Sequence, residues 1–103
     1  MSTIIRKNGR YLNIVASQRT GEYAKVFCNR RLVAHFIEFN EALNFKRRLE
    51  QALSKEGNVF RIEVSSTGTS LFLNDVFLKG GMSLEYILNF KKRTCRGLGL
   101  KIE

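Results

Sequence analysis

Proline is absent from this 103-residue chain, histidine occurs once and cysteine twice. With no proline-rich or low-complexity tract to act as a linker, residues 1–103 are expected to form a single domain with one core. The lone His35 cannot supply the clustered ligands of a metal site, and it has no sequence partner that marks it as a base beside a nucleophile. It reads as a structural or exposed residue. Cys28 and Cys95 are too few for a disulfide framework and are not a CxxC pair, so they read as reduced thiols. Paired carboxylates are missing, and Gly80-Gly81 lacks the GxGxxG or GK(S/T) surroundings of a phosphate loop. No apolar run approaches the roughly 18 to 20 residues of a membrane span. The N-terminal Met1-Ser2-Thr3-Ile4-Ile5-Arg6-Lys7 carries charge without a following apolar region, which argues against secretion. The expectation is a non-catalytic intracellular protein of cytoplasm or nucleus, with no cofactor, metal, membrane or small-molecule substrate.

What is abundant is positive charge. Eighteen Lys and Arg against nine Asp and Glu give +9, more than solubility alone requires and suited to a polyanionic partner. Hydrophobic residues make up 44% of the chain, so it is neither disordered nor fibrous.

The chain also resembles itself. At an offset of 45 positions, Phe27 to Arg48 falls on Phe72 to Arg93 and matches Phe27/Phe72, Asn29/Asn74, Leu43/Leu88, Asn44/Asn89, Phe45/Phe90, Lys46/Lys91 and Arg48/Arg93. Upstream, Leu12, Ile14, Ala16 and Ser17 pair with Phe60, Ile62, Val64 and Ser65 if the second hairpin is shorter by two or three residues. This predicts an internally duplicated β-β-β-α unit, with repeats of about 1–57 and 58–103.

Within the first unit, Leu12, Ile14 and Ala16 alternate with Tyr11, Asn13, Val15 and Ser17, which predicts a half-buried strand over 10–17. Strands at 23–28 and 32–37 follow, separated by an Asn29-Arg30 turn. From Asn40, read as an N-cap, the residues Ala42, Phe45, Leu49, Ala52 and Leu53 recur at helical spacing up to a stop at Gly57. The second unit predicts strands at 59–65, 70–73 and 76–79, then a break at Gly80-Gly81. Ser83 caps a helix with apolar residues Leu84, Ile87, Leu88 and Cys95, ended by Gly97. Residues 98–102 extend this helix or form a short strand. The fold class is α+β, with antiparallel sheets backed by two helices.

If the helices cover the side bearing Leu12, Ile14, Val26, Ile62 and Leu71, the opposite sheet surface carries Tyr11, Asn13, Tyr23, Lys25, Phe27, Asn29, Arg61, Phe72 and Asn74. Rings interleaved with cations suit unpaired nucleic acid, because bases stack on aromatic side chains while Lys and Arg follow the phosphates. The same surface could instead be a second core layer or a dimer interface. Further basic clusters are Arg6-Lys7 with Arg10, Arg30-Arg31 at a hairpin tip, Lys46-Arg47-Arg48, and Lys91-Lys92-Arg93 with Arg96. On helices such runs are also ordinary solvated faces.

The string Arg10-Tyr-Leu-Asn-Ile-Val-Ala-Ser-Gln-Arg-Thr-Gly-Glu-Tyr-Ala-Lys25 resembles the opening strands of a PUR repeat. Glu41-Ala-Leu-Asn-Phe-Lys-Arg-Arg-Leu49 is similar to that family's helix. The resemblance implies a PUR or Whirly-like domain that binds single-stranded DNA or RNA, with contacts at Asn13, Gln18, Arg19, Tyr23 and Lys25. A homodimer is a further expectation, separate from that resemblance. Ala16 and Glu22 stand where the family has lysine and arginine. Two other readings stay open. One is an AP2-like domain reading duplex DNA through three strands and a helix, which leaves the second unit unexplained. The other is a protein-interaction or oligomerisation module.

Overall fold

Short alternating segments joined by tight turns build the sheets. In the computed structural model, which describes residues 2–7 and 9–99, β1 (Ser2–Lys7), β2 (Arg10–Ser17), β3 (Ala24–Cys28) and β4 (Arg31–Phe36) form one antiparallel sheet in that order. Helix α1 (Phe39–Leu53) follows. Among the described residues, β5 (Phe60–Ser65), β6 (Gly68–Leu73) and β7 (Val76–Met82) make a second antiparallel sheet, and α2 (Leu84–Leu98) comes last. The fold is α+β, with two antiparallel sheets and two helices.

The hairpin turns show how local chemistry sets register. Asn29 and Arg30 have φ of 51° and 69°, and Asn74 and Asp75 have 49° and 65°. Positive φ at both central residues is the two-residue turn that matches strand twist, and Asn tolerates it better than most residues. Each Asn also ties its turn to the neighbouring strand. Asn29 Oδ1 accepts from Asn13 N at 2.9 Å, and Asn74 Oδ1 accepts from Val59 N at 3.0 Å. These two asparagines are therefore turn-forming residues, and not free groups of the sheet surface.

Both helices cross between the sheets. Helix α1 packs on β1 to β4 and also on β6 and β7, while α2 packs on β3 and β4 and on β6 and β7. All five residues of the expected α1 stripe, Ala42, Phe45, Leu49, Ala52 and Leu53, are buried. On the sheets, Leu12, Ile14, Ala16, Val26 and Leu71 face inward, with at most 2% of their surface exposed. Phe45 and Phe90 meet edge to face with centroids 5.6 Å apart, which joins the two helices at the centre of the core.

Several expectations need correction. The first sheet has a fourth strand, β1, because Ile5 pairs with Leu12 and Thr3 with Ile14 on the covered side. The adjacent Ile4-Ile5 breaks the alternation that would mark this strand. Helix α1 starts at Phe39 after Glu38, whose side chain makes no capping bond, so Asn40 lies inside the helix rather than at its cap. Ser83 is a cap, accepting from Tyr86 N at 3.2 Å. Leu84 and Leu88 are exposed; the buried α2 face is Ile87, Phe90, Thr94, Cys95, Gly97 and Leu98. Gly97 belongs to this buried face, and Gly99, at φ 71°, ends the helix. Gly57 follows three residues after the α1 C-cap Ser54. Gly80 and Gly81 lie within β7 at a register shift, a bulge and not a break. The alternatives for 98–102 fall mostly on 100–102, outside the described residues, while Leu98 is helical.

Two lysines fasten β1 to α1. Buried Lys7 donates through Nζ to Leu53 O at 3.3 Å and Lys55 O at 2.7 Å, capping carbonyls at the helix end. Burial lowers its pKa, partly offset by the charge of Glu56. Lys46 is 5% exposed and donates to Thr3 Oγ1 at 2.8 Å and to Glu50. It is removed from the solvated cluster it forms in sequence with Arg47 and Arg48.

Candidate nucleic-acid interface

Strand alternation delivers one set of side chains to the uncovered surface of the four-stranded sheet. Register places Arg6 beside Tyr11, Ile4 beside Asn13, Val15 beside Phe27, and Ser17 beside Lys25, which in turn neighbours His35. Because Leu12, Ile14, Val26 and Ala34 on the same strands point into the core, these intervening residues must point out. Tyr11 and Tyr23 are 66% and 59% exposed, and Lys25 and Phe27 are half-buried. None of the rings is sealed inside.

The β2–β3 loop adds to this surface. Gln18 Nε2 donates to Glu22 O at 3.2 Å and Glu22 N donates to Arg19 O at 3.0 Å, so the loop is closed on itself while Arg19 remains exposed. Ser17, Arg19, Glu22, Tyr23, Lys25 and Phe27 line a hollow of about 290 Å³. Tyr23 also borders a hollow of about 330 Å³ with His35, Ile37 and Tyr86, and its ring lies 5.5 Å from His35 at a tilt of 48°. Arg6 sits 5.8 Å over the Tyr11 ring. The arrangement offers exposed π-faces beside cations, and its openness suits a chain of planar groups carried on phosphates.

Tyr11, Asn13, Gln18, Arg19, Tyr23, Lys25 and Phe27 are thus brought to one side of one sheet and its adjoining loop. Arg30 and Arg31 lie at the other end of β3, in and just after its turn to β4. Arg61 and Phe72 belong to the second sheet, where Arg61 covers Phe72 at 4.3 Å, pairs with Glu63 and lies 3.6 Å from Asp75. Two carboxylates offset that cation. Phe72 also meets Phe77 edge to face at 5.7 Å. Lys91, Lys92 and Arg93 are on α2, in the helical layer, with Lys91 Nζ 5.7 Å from the Phe60 ring.

Tyr86, Ile37 and Arg6 also join the surface, although the sequence pattern does not place them there. Tyr86 follows the exposed Leu84 on α2, and an aromatic residue just off an apolar stripe is the signal that identifies it. Cys28 and Cys95 are fully buried, and burial pushes both thiols up despite Arg10 and Arg31 near Cys28 and Lys91 near Cys95. Neither is placed for chemistry at this surface. No helix among the described residues is long and apolar enough to cross a membrane. No protein-family model, curated protein or solved structure matches the chain.

Proposed function

We propose that this protein binds single-stranded DNA or RNA without catalysis, through the uncovered surface of β1 to β4 and the β2–β3 loop. The observation carrying the reading is Tyr23, exposed and flanked by Lys25, Phe27, His35 and Arg19 around adjoining hollows. Tyr23 and Tyr11 stack bases, Lys25, Arg19 and Arg6 contact phosphates, and Asn13 lies within the same strip. The overall charge of +9 supplies long-range attraction to a polyanion.

The fold is proposed to be a PUR or Whirly-like duplication. Support comes from strand-strand-strand-helix order in both halves and from helices spanning 39–53 and 84–98, an offset of 45 throughout. The positive-φ pairs 29–30 and 74–75 share that offset. In this reading β1 is an addition to the first unit.

Direct binding of labelled single-stranded DNA, single-stranded RNA and duplex at moderate salt tests the function. Single strands should bind more tightly than duplex. Tyr23→Ala should weaken them by about fivefold or more, given roughly 1–3 kcal/mol per stacked base, with the circular dichroism spectrum unchanged. Preferential duplex binding would transfer the assignment to a double-strand reader. Absence of binding at low ionic strength would remove nucleic acid from the reading altogether.

A further inference from the structure

Strand β5 is an edge. It pairs with β6 on one side, and among the described residues no strand pairs with the other. Its counterpart β2 is covered on that side by β1. The free edge is not guarded by the usual devices of shortness or proline: β5 is six residues long and contains no proline. Val64 within it and Val59 just before it are 71% and 62% exposed.

The direction of its peptide groups follows from its bonds. Asn74 N donates to Val59 O at 2.8 Å, and Val59 N donates to Asn74 Oδ1, so the peptide groups of Val59 face β6. Ser65 and Gly68 close a two-residue turn and pair across the same ladder. In an antiparallel strand these directions alternate, which leaves the N–H and C=O of Phe60, Ile62 and Val64 pointing away from β6.

We propose that this edge is the interface of a homodimer in which β5 pairs antiparallel with β5 of a second copy, centred on Ile62. The occupant is argued from self-complementarity. With Ile62 opposite the partner's Ile62, Phe60 lies opposite the partner's Val64, and all of these residues present outward-facing peptide groups to one another. Arg61 then lies opposite the partner's Glu63, and Glu63 opposite the partner's Arg61. A shift of two residues in one direction sets Arg61 against the partner's Arg61. The same shift in the other direction sets Glu63 against the partner's Glu63. A shift of one residue faces bonded peptide groups with unbonded ones. Charge pairing and hydrogen-bond direction thus select one register. The exposed Val64 gains an apolar neighbour in the partner's Phe60, and two three-stranded sheets become one of six strands. The interface is isologous, as a twofold dimer requires.

Sedimentation velocity on the full chain, from micromolar to millimolar concentration and without oligonucleotide, tests this independently of nucleic-acid binding. The wild type should associate to a dimer that dissociates on dilution. Arg61→Glu and Glu63→Arg should each weaken association by about fivefold or more, because each turns attractive cross-strand pairs into repulsive ones. The double variant R61E/E63R should restore it. Val64→Pro removes an N–H that no β5–β6 bond uses, and should abolish the dimer while the monomer keeps its circular dichroism spectrum. A wild type that stays monomeric at millimolar concentration overturns the proposal. So does a dimer indifferent to Val64→Pro, or a double variant that associates no better than the single ones.

Discussion

Replacing Gly97 by alanine should destabilise the protein although alanine is the better helix former. A Cβ built at Gly97 falls 2.7 Å from Leu32 O, 2.8 Å from Val33 Cγ2 and 2.9 Å from Val33 Cα. Two of these are main-chain atoms of or beside the β4 backbone and cannot rotate aside, so α2 must lift away from the strand. Overpacking of this kind costs about 1–3 kcal/mol, and relief of the glycine penalty in a helix returns about 1 kcal/mol. With three contacts under 3 Å, the cost belongs in the upper part of that range, leaving a net loss of about 1–2 kcal/mol. For a chain of this size that lowers Tm by about 5–15 °C. Urea melts followed by circular dichroism would measure it, with Lys92→Ala on the exposed side of α2 as the control. A Gly97→Ala protein as stable as the wild type, or more so, would show that α2 is not seated against β4 at this distance. The equivalent α1 residue, Ala52, is itself fully buried, so the corresponding contact there already accommodates a methyl group.

Three other expectations concern the turns, the thiols and the charges. Asn29→Ala should lose about 1–3 kcal/mol, from a φ of 51° that alanine resists and from bonds to Asn13 N and Tyr11 O. Hydrogen exchange at the Asn13 amide should accelerate with it, and unchanged protection would contradict the assigned bond. Both cysteines should resist alkylation near pH 8 in the native protein and react fully after denaturation, since burial raises their pKa and disfavours thiolate. Prompt native labelling of either would place that thiol at the surface. In oligonucleotide binding, Arg19→Ala should reduce the slope of log affinity against log salt by about 0.7, one single-strand phosphate contact. Lys92→Ala should leave the slope unchanged; the reverse result would move the interface to the helical side.

Much of the fold was legible because period and burial agreed. The alternation of Leu12, Ile14 and Ala16 identified both the strand and its covered side, and the helical stripe from Ala42 to Leu53 was wholly buried. The exposed Tyr11 and Tyr23 were legible for the same reason: they take the positions opposite an apolar alternation. Legibility failed where a residue served a purpose foreign to its type. Lys46 sits in a run of cations, yet the aliphatic stem is buried and the ammonium is bound by Thr3 and Glu50. Gly97 looks like a helix stop but is a close contact between helix and strand. Strand β1 is not legible in the sequence because Ile4 is 67% exposed beside the half-buried Ile5, so its hydrophobicity does not alternate. At the candidate site, Tyr86 arrives from a distant helix, and only the tertiary arrangement puts it near Tyr23.

The crossing of each helix between both sheets bears on how the molecule comes apart. Helix α1 covers its own sheet and also touches β6 and β7, and α2 reaches back to β3 and β4. Loosening either half strips apolar cover from the other, so partial melting exposes hydrocarbon on both sides at once. Calorimetry should therefore register a single endotherm whose van't Hoff and calorimetric enthalpies coincide. Chains cut near residue 57 should regain order only when the two fragments are mixed.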